Sequence, residues 1–277
     1  MTTRAFARLA ALVPALLLAA PPASADRAEA VDRTALRVCA DPGATPLSSE
    51  DEKGIENQIA AVFAKSLNVP LRYTWFPSGI GFYRRTLNIR RCDIVMGTVA
   101  GNDIAQTTIP YYRSTYVLVS RTGDAIAASR LDDPGLRGKT LGVQAGTPAS
   151  QLMARAGLLD AARSYDLMVD NRIDSVGRRM VEDVGAGKID AAIVWGPVAG
   201  HFAAMKPGAY RVTPLTGDKD LPLAYDIAMA VRTGEPRWRA QVDQLIRDNR
   251  AAIERILIAE HVPLLPLTPP STTGAGS

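Results

Sequence analysis

The sequence predicts an α/β protein built from two lobes with a cleft between them. Strand and helix patterns alternate from Leu36 onward, and the same alternation starts again after the turn-rich segment 132–135. In each unit an aspartate precedes a short apolar strand that ends at a glycine, Gly97 in the first and Gly196 in the second. Because ligands in open α/β sheets bind beyond the carboxyl ends of the strands, we expect the binding site in the cleft.

The first unit is predicted to run strand, helix, strand, helix, strand. Apolar residues at helical spacing indicate its first helix, and Asn68-Val69-Pro70 ends that helix. The apolar run 94–96 indicates a strand buried on both faces. The predicted strands are 36–40, 71–76 and 93–96, and the predicted helices are 55–67 and 82–90.

An extended crossover leads to the second unit. Pro110 excludes a central strand at its own position, whereas 115–119 are strand formers, so the chain is expected to turn at 110–111 and then cross over. Gly146-Thr147-Pro148 is expected to open a helix. The other predicted elements are strands at 139–143, 164–169, 188–195 and 226–231 and helices at 175–185 and 238–258. Lobe 1 is predicted to comprise 26–120 and 222–262, and lobe 2 to comprise 121–221.

The N-terminus has the residue order of a cleaved secretory signal. Arg4 and Arg8 precede the apolar run 9–20, and Ala23-Ser24-Ala25 follows it. The run is too short to span a bilayer, and a membrane anchor is the alternative interpretation. We expect residues 1–25 to be removed on export, and the leader 26–34 and the tail 263–277 to lack fixed structure.

Composition and motifs narrow the class of function. The chain has 32 Lys and Arg against 28 Asp and Glu, and without the two signal arginines its net charge is about +2. Opposite charges are interspersed, which argues against a nucleic-acid or anionic-membrane partner. The isolated His201 and His261 argue against a zinc site. Because the sequence has no nucleophile elbow, phosphate loop or dinucleotide fingerprint, we expect a binding protein without a cofactor.

The two cysteines are expected to form a disulfide. Cys39 and Cys92 lie in segments that read as neighbouring parallel strands, and export places them in an oxidising compartment. Two small buried thiols are the alternative.

A set of short motifs resembles a known family. Over most of 36–258 the chain is similar to type II periplasmic solute-binding proteins of the amino-acid-receptor kind. The motifs that carry this similarity are the Leu-Arg-Val strand, the Gly54-Ile55-Glu56-Asn57 helix start, the Cys-Asp-apolar-Gly strand and the Pro-Tyr-Tyr crossover. More narrowly, Cys39-Ala40-Asp41-Pro42, 110–116 and Val194-Trp195-Gly196-Pro197 resemble the quinoprotein-dehydrogenase-associated branch. That branch comprises the J-type (MxaJ/XoxJ) accessory proteins encoded beside pyrroloquinoline-quinone (PQQ) methanol dehydrogenases.

The resemblance implies a two-lobe type II periplasmic binding protein with a central cleft and hinge crossovers. It also implies a monomer in the periplasm that serves a PQQ-dependent methanol or alcohol dehydrogenase, or its cytochrome c. Two departures from the amino-acid receptors matter. The segment 100–104 lacks the arginine that clamps the substrate carboxylate, and Trp195-Gly196-Pro197 replaces the aspartate that holds the ammonium group. Both departures argue against a free amino acid as ligand.

Candidate cleft residues follow strand ends and a helix start. Trp195 is expected to wall the cleft or to pack under a loop, and Gly146 and Thr147 to form an anion site or a plain helix cap. Four more residues are candidates for lining the cleft, and for each the alternative role is in a turn or in the packing of its lobe. They are Asp41, Trp75, Gly97 and Thr98.

A candidate partner surface is basic and aromatic. Arg84, Arg85, Arg90 and Arg91 form a basic run that is either a solvated face or a docking surface for an acidic partner. Tyr112 and Arg113 are expected to pack in the hinge or, alternatively, to contact the partner.

Three functions remain open at this point. The leading one is an accessory protein that assists maturation or activation of the dehydrogenase by binding the enzyme or its cofactor. An ABC-transport receptor for a small solute and a fold-sharing dehydratase are the alternatives.

Overall fold

The computed structural model describes residues 29–124, 126–167 and 169–269. The predicted signal peptide at 1–25 and the tail positions 270–277 lie outside the described residues. The strands are β1 Leu36–Ala40, β2 Leu71–Trp75, β3 Val95–Val99, β4 Gln106–Thr107, β5 Tyr112–Arg121, β6 Leu141–Gln144, β7 Arg163–Tyr165, β8 Ala191–Trp195, β9 Tyr210–Pro214 and β10 Ala224–Val231. The helices are α1 Ile55–Leu67, α2 Phe82–Arg85, α3 Pro148–Arg155, α4 Val176–Gly185, α5 Gly196–Ala204, α6 Pro236–Asp248 and α7 Arg250–Ala259, with 3-10 turns at Leu87–Ile89 and Pro134–Leu136.

The long strand β5 runs through both halves of the molecule. Its first half pairs antiparallel with β10, and its second half pairs antiparallel with β8 and β9. The strand order of the main sheet is β3-β10-β5-β8-β6-β7, and β1 and β2 form a separate parallel pair linked to the start of β3 by a bridge between Val38 and Ile94. Strand β5 is therefore the hinge crossover that the Pro110 turn predicts.

Separate cores define two lobes. Lobe 1 consists of β1–β4, α1, α2, β10, α6 and α7 around a core that includes Phe63, Met96 and Trp238. Lobe 2 consists of β6–β9 and α3–α5, with cores on both faces of its sheet because successive side chains of a strand point to opposite faces. Leu118 and Val117 of β5 accordingly lie in different clusters.

Two predicted helices are broken in the structure. The helix expected at 82–90 stops after one turn, because Thr86 leaves helical geometry at φ −130° and ψ −85° and its hydroxyl donates to Phe82 O at 2.6 Å. The helix expected at 238–258 divides at Asn249, whose side-chain amide donates to Leu245 O at 2.9 Å. The break lets α7 turn back so that Ile253 and Leu257 join the core of lobe 1.

Other elements differ in extent. We expected the third strand to end at Gly97. Strand β3 instead continues to Val99, because it pairs antiparallel with β10. Strand β7 has three residues rather than the expected six. The elements β4, β9 and α5 were not predicted, and α5 starts at Gly196 directly after β8 with Pro197 in its first turn.

The leader and the tail are held in place as far as the structure describes them, contrary to expectation. The Glu29 carboxylate accepts backbone hydrogen bonds from Arg237 at 2.6 Å and Trp238 at 2.9 Å, and so caps α6. In the tail, Leu265 N donates to Arg113 O at 2.9 Å, and the Ser114 hydroxyl donates to Pro263 O at 2.7 Å. The tail thus crosses the hinge strand.

The predicted disulfide is confirmed. Cys39 and Cys92 are bonded with their Cα atoms 5.4 Å apart, and both side chains are buried. The bond joins the end of β1 to the segment that leads into β3.

Candidate functional site

Three adjoining cavities form one cleft between the lobes. They have volumes of 210, 450 and 410 Å³, and Leu47 lines all three. The smallest lies within lobe 1, and the other two are lined by residues of both lobes. We call the 410 Å³ space the hinge cavity, because Tyr112 and Tyr116 of β5 line it.

A wall of three aromatic rings borders the hinge cavity. The Trp195 ring packs edge-on against Tyr116 with centroids 5.5 Å apart, and lies 6.1 Å from the Tyr225 ring. Trp195 comes from the end of β8 in lobe 2, yet it packs against the core of lobe 1. Trp195 lines both the 450 Å³ cavity and the hinge cavity.

Glu56 brings a carboxylate to the same cavity. It lies in the first turn of α1, and its side chain rests on Gly97, where a Cβ would overlap Glu56 Oε1. Burial raises the pKa of Glu56 to about 7, and the neighbouring Asp41 carboxylate adds to the shift. Among the residues that the structure describes, no hydrogen bond or ion pair satisfies this carboxylate. A carboxyl group with this pKa can pair with a cation or exchange a proton near neutral pH.

Asp41 joins the two lobes at the edge of the cleft. Its carboxylate accepts hydrogen bonds from Gly43 N at 2.8 Å, Ser78 N at 2.6 Å and Asn171 Nδ2 of lobe 2 at 3.3 Å. Gly43 packs directly on the lobe 2 backbone, since a Cβ there would lie 2.5 Å from Arg172 N. The lobes therefore touch in this structure, and Asp41 both shapes its turn and bridges them.

Comparison with known proteins gives the family. No family model matches the chain. The chain is 29% identical to Protein MoxJ of Methylorubrum extorquens over 96% of this chain and 97% of that protein. It is 37% identical to the crystal structure of the periplasmic binding protein XoxJ from Methylobacterium extorquens AM1, with a TM-score of 0.72, over 84% of this chain and all of that one. The chain belongs to the MoxJ/XoxJ family of periplasmic binding proteins.

A second solved structure agrees with this fold. MxaJ from Methlophaga aminisulfidivorans has a TM-score of 0.74 at 20% identity, over 83% of this chain and all of that one. The type II periplasmic binding fold expected from the sequence is thus confirmed.

In this MoxJ/XoxJ family member some of the predicted cleft residues line the cavities and others do not. Asp41 lines the smallest cavity, and Gly97, Thr98 and Trp195 line the hinge cavity. Thr98 accepts a hydrogen bond from Asn102 Nδ2 at 2.7 Å. Trp75 is not brought to any of the three cavities, because its ring stacks on Tyr73 with centroids 4.4 Å apart.

The predicted anion site behaves as a helix cap. Thr147 is buried. Its hydroxyl accepts a hydrogen bond from Ser150 N at 3.3 Å and donates one to Gln144 O at 2.8 Å, so the hydroxyl already serves as both donor and acceptor within the protein. Gly146, at φ +72°, makes the turn before it. Only the following Pro148 reaches the hinge cavity.

The predicted partner surface does not form one patch. Arg84, Arg85 and Arg91 are exposed on lobe 1. Tyr112 is only 6% exposed and lines the hinge cavity, and Arg113 pairs with Asp226 at 3.0 Å beneath the tail. Both hinge residues therefore pack within the structure, and Tyr112 is buried in it.

Sequence reasoning missed Tyr116 and Tyr225 of the aromatic wall and, with more consequence for the chemistry, Glu56. It entered the prediction only as part of the helix-start motif 54–57. A carboxylate in a first helical turn has a routine explanation in the helix dipole, and its position against Gly97 depends on tertiary contacts. Within the described residues there is no group of three or more His, Cys, Asp or Glu that could hold a metal ion, and no helix long and apolar enough to cross a membrane.

Proposed function

We propose that this protein is a periplasmic accessory protein that assists maturation or activation of a PQQ-dependent methanol or alcohol dehydrogenase. The observation that carries the proposal is the wall of Trp195, Tyr116 and Tyr225 across the cleft, in a chain of the MoxJ/XoxJ family. The protein acts by binding the dehydrogenase polypeptide or its cofactor in or near the cleft, and it is not itself an enzyme.

The shape and chemistry of the cleft support a large, partly apolar occupant. The 450 Å³ cavity beside Trp195 is lined by Ile80 of lobe 1 and by Leu167, Met180 and Val198 of lobe 2. Ile80 is 93% exposed and Leu167 is 51% exposed, which leaves apolar surface at the mouth of the cleft. Exposed apolar groups of this kind typically mark binding surfaces.

The exposed arginines of lobe 1 support a second docking surface for the partner, in addition to the cleft. Arg84 and Arg91 have no ion-pair partner within the described part of the chain, and Ile89 between them is 57% exposed. Free cations around an apolar residue favour an acidic partner surface, to which they accelerate association.

The test is complementation in cells deleted for the native gene. Trp195→Ala should fold but fail to restore dehydrogenase activity, because central aromatic residues carry a large share of interface energy. Trp195→Phe is the matched control and should retain most activity. Charge reversal at Arg84 and Arg91 should slow association and change its salt dependence. If the deletion leaves the dehydrogenase fully active, the proposal fails.

A further inference from the structure

The hinge cavity combines one carboxylate with four aromatic side chains. Glu56 lines it together with Tyr112, Tyr116, Trp195 and Tyr225. Aromatic faces attract cations within about 6 Å of the ring centre, and a carboxylate provides the counter-charge. A volume of 410 Å³ holds a group of several non-hydrogen atoms.

Among the described residues, none supplies a charged partner for Glu56. The titratable groups that face it are Asp41, which is also acidic, and Tyr73, Tyr83, Tyr111 and Tyr112. Burial raises the pKa of each of these tyrosines, so their hydroxyls stay neutral at physiological pH. The region around the carboxylate therefore carries negative charge and, among the described residues, no compensating lysine or arginine.

The lining favours an organic cation over a metal ion. Calcium and magnesium take six or more oxygen ligands, whereas one carboxylate and a wall of rings supply few. Protonated amines and guanidinium groups instead combine one or two charge-assisted hydrogen bonds with contact to aromatic faces.

We propose that the hinge cavity binds an organic cation, an ammonium or guanidinium group, with Glu56 as its counter-ion and the rings of Tyr116, Trp195 and Tyr225 as its enclosure. The inference rests on the proposed function in one respect, the source of the cation. That source is either a lysine or arginine side chain of the dehydrogenase or a free alkylamine. The binding chemistry is the same for both.

Calorimetry on the full mature protein tests the chemistry first. At pH 8, n-butylammonium should bind at least about tenfold more tightly than the neutral isostere n-butanol. Glu56→Gln should remove this preference while the protein stays folded, because the amide keeps the shape and loses the charge. Glu50→Gln, which removes an exposed charge outside the cavity, should leave the preference intact.

A pH series separates a counter-ion from a merely structural side chain. Only the ionised carboxylate attracts the cation, so affinity for n-butylammonium should rise between pH 6 and pH 8 in the wild type. Affinity should be flat over this range in Glu56→Gln. Equal affinities for the amine and the alcohol, or an unchanged preference in Glu56→Gln, overturn the proposal.

A second set of ligands identifies the source. An extended peptide with one lysine between apolar residues is compared with the same peptide carrying norleucine. Tighter binding of the lysine peptide than of n-butylammonium assigns a polypeptide cation, and the reverse order assigns a free amine. Trp195→Phe, which keeps an aromatic face, should bind both, whereas Trp195→Ala should weaken both.

The result is independent of the cellular assay. If the purified protein shows the Glu56-dependent preference but the gene deletion leaves the dehydrogenase active, the cation site stands and the proposed function fails. If the deletion impairs the dehydrogenase but cations bind no better than neutral isosteres, the function stands and the cation site fails.

Discussion

At the scale of single residues, Glu56 and Gly97 show how a side chain acquires unusual properties. Helix α1 carries the carboxylate toward β3, and the missing Cβ of Gly97 lets it lie against the backbone. The carboxylate gains no hydrogen bond there within the described part of the molecule. Its ionised form is therefore disfavoured, and the pKa rises to about 7. The fold therefore contains a carboxylate whose ionised form is destabilising.

This cost predicts a pH dependence of stability. The ordinary pKa of the Glu56 carboxyl is 4.5 and its folded value is about 7. As the pH rises through this window, the unfolded chain releases the proton first, so the stabilisation by the protonated folded form is lost. Glu56→Gln should therefore be more stable than the wild type at pH 8, by no more than about 3 kcal/mol, and equally stable at pH 4. Urea unfolding at both pH values measures this, and an equal difference at the two would contradict it.

At the scale of elements, β5 and the disulfide perform different tasks. Strand β5 pairs with β10 in lobe 1 and with β8 and β9 in lobe 2, so one continuous strand links the lobes. The disulfide lies wholly within lobe 1, beside the cluster of Phe82, Leu87 and Val95. It therefore stabilises a lobe and does not restrict the hinge.

Reduction of the disulfide should destabilise lobe 1. The bond closes a loop with a sequence separation of 53 residues, and restricting an unfolded loop of this length contributes about 2–4 kcal/mol. The melting temperature should fall in reductant, and a Cys39→Ala/Cys92→Ala variant should melt at the reduced value with no response to reductant. Two free thiols in mass analysis of periplasmic material would count against the bond.

At the scale of the whole molecule, the lobes touch across the mouth of the cleft. Gly43 of lobe 1 packs on Asn171 and Arg172 of lobe 2, and Asp41 accepts the Asn171 hydrogen bond. None of these contacts involves β5, so they can separate while β5 stays paired with β10, β8 and β9. Domain closure of this kind is a common way to enclose a ligand.

A methyl group at Gly43 should open the molecule. The added Cβ would lie 2.5 Å from backbone atoms of Asn171 and Arg172, which cannot move aside as a flexible side chain does. Gly43→Ala should therefore increase the radius of gyration in small-angle scattering. Gly123→Ala, where no atom lies within 4 Å of the added Cβ, is the matched control and should scatter as the wild type does. Identical curves for both variants would show that the contact is not maintained in solution.

Common free L-amino acids should bind weakly or not at all to the whole protein. The segment 100–104 has no arginine to clamp a carboxylate, and Trp195 stands where receptors carry an aspartate. Glu56 can serve the ammonium group, but the carboxylate has no clamp in this segment, and micromolar affinity, about 8 kcal/mol, is difficult to reach with one charged anchor. Calorimetry that detects micromolar binding of leucine or glutamine would show the expectation to be wrong.

Sequence patterns were sufficient to predict those elements whose structure depends on residues close to one another along the chain. Strand β1 and helix α1 were predicted with their observed limits, and a helix was predicted to open at Gly146-Thr147-Pro148, because periodicity and capping act locally. The breaks at Thr86 and Asn249 were missed because both residues are tolerated in helices, and only packing onto the core makes the chain turn there.

The sequence by itself determined the two-lobe α/β architecture, the disulfide pair and the aromatic residue at the end of β8. Each of these depends on residue type, spacing or the compartment that the N-terminus implies. The tertiary structure alone decided that Trp195 meets Tyr116 and Tyr225, that Trp75 stays on Tyr73, and that Glu56 reaches the cleft. The physical reason is that the contacts of Trp195 and Glu56 join different elements of the chain, β8 to β5 and β10, and α1 to β3. Tyr73 and Trp75 are near neighbours on one face of β2, and only the packing around them decides that the Trp75 ring stays there. Local patterns carry no information about such contacts.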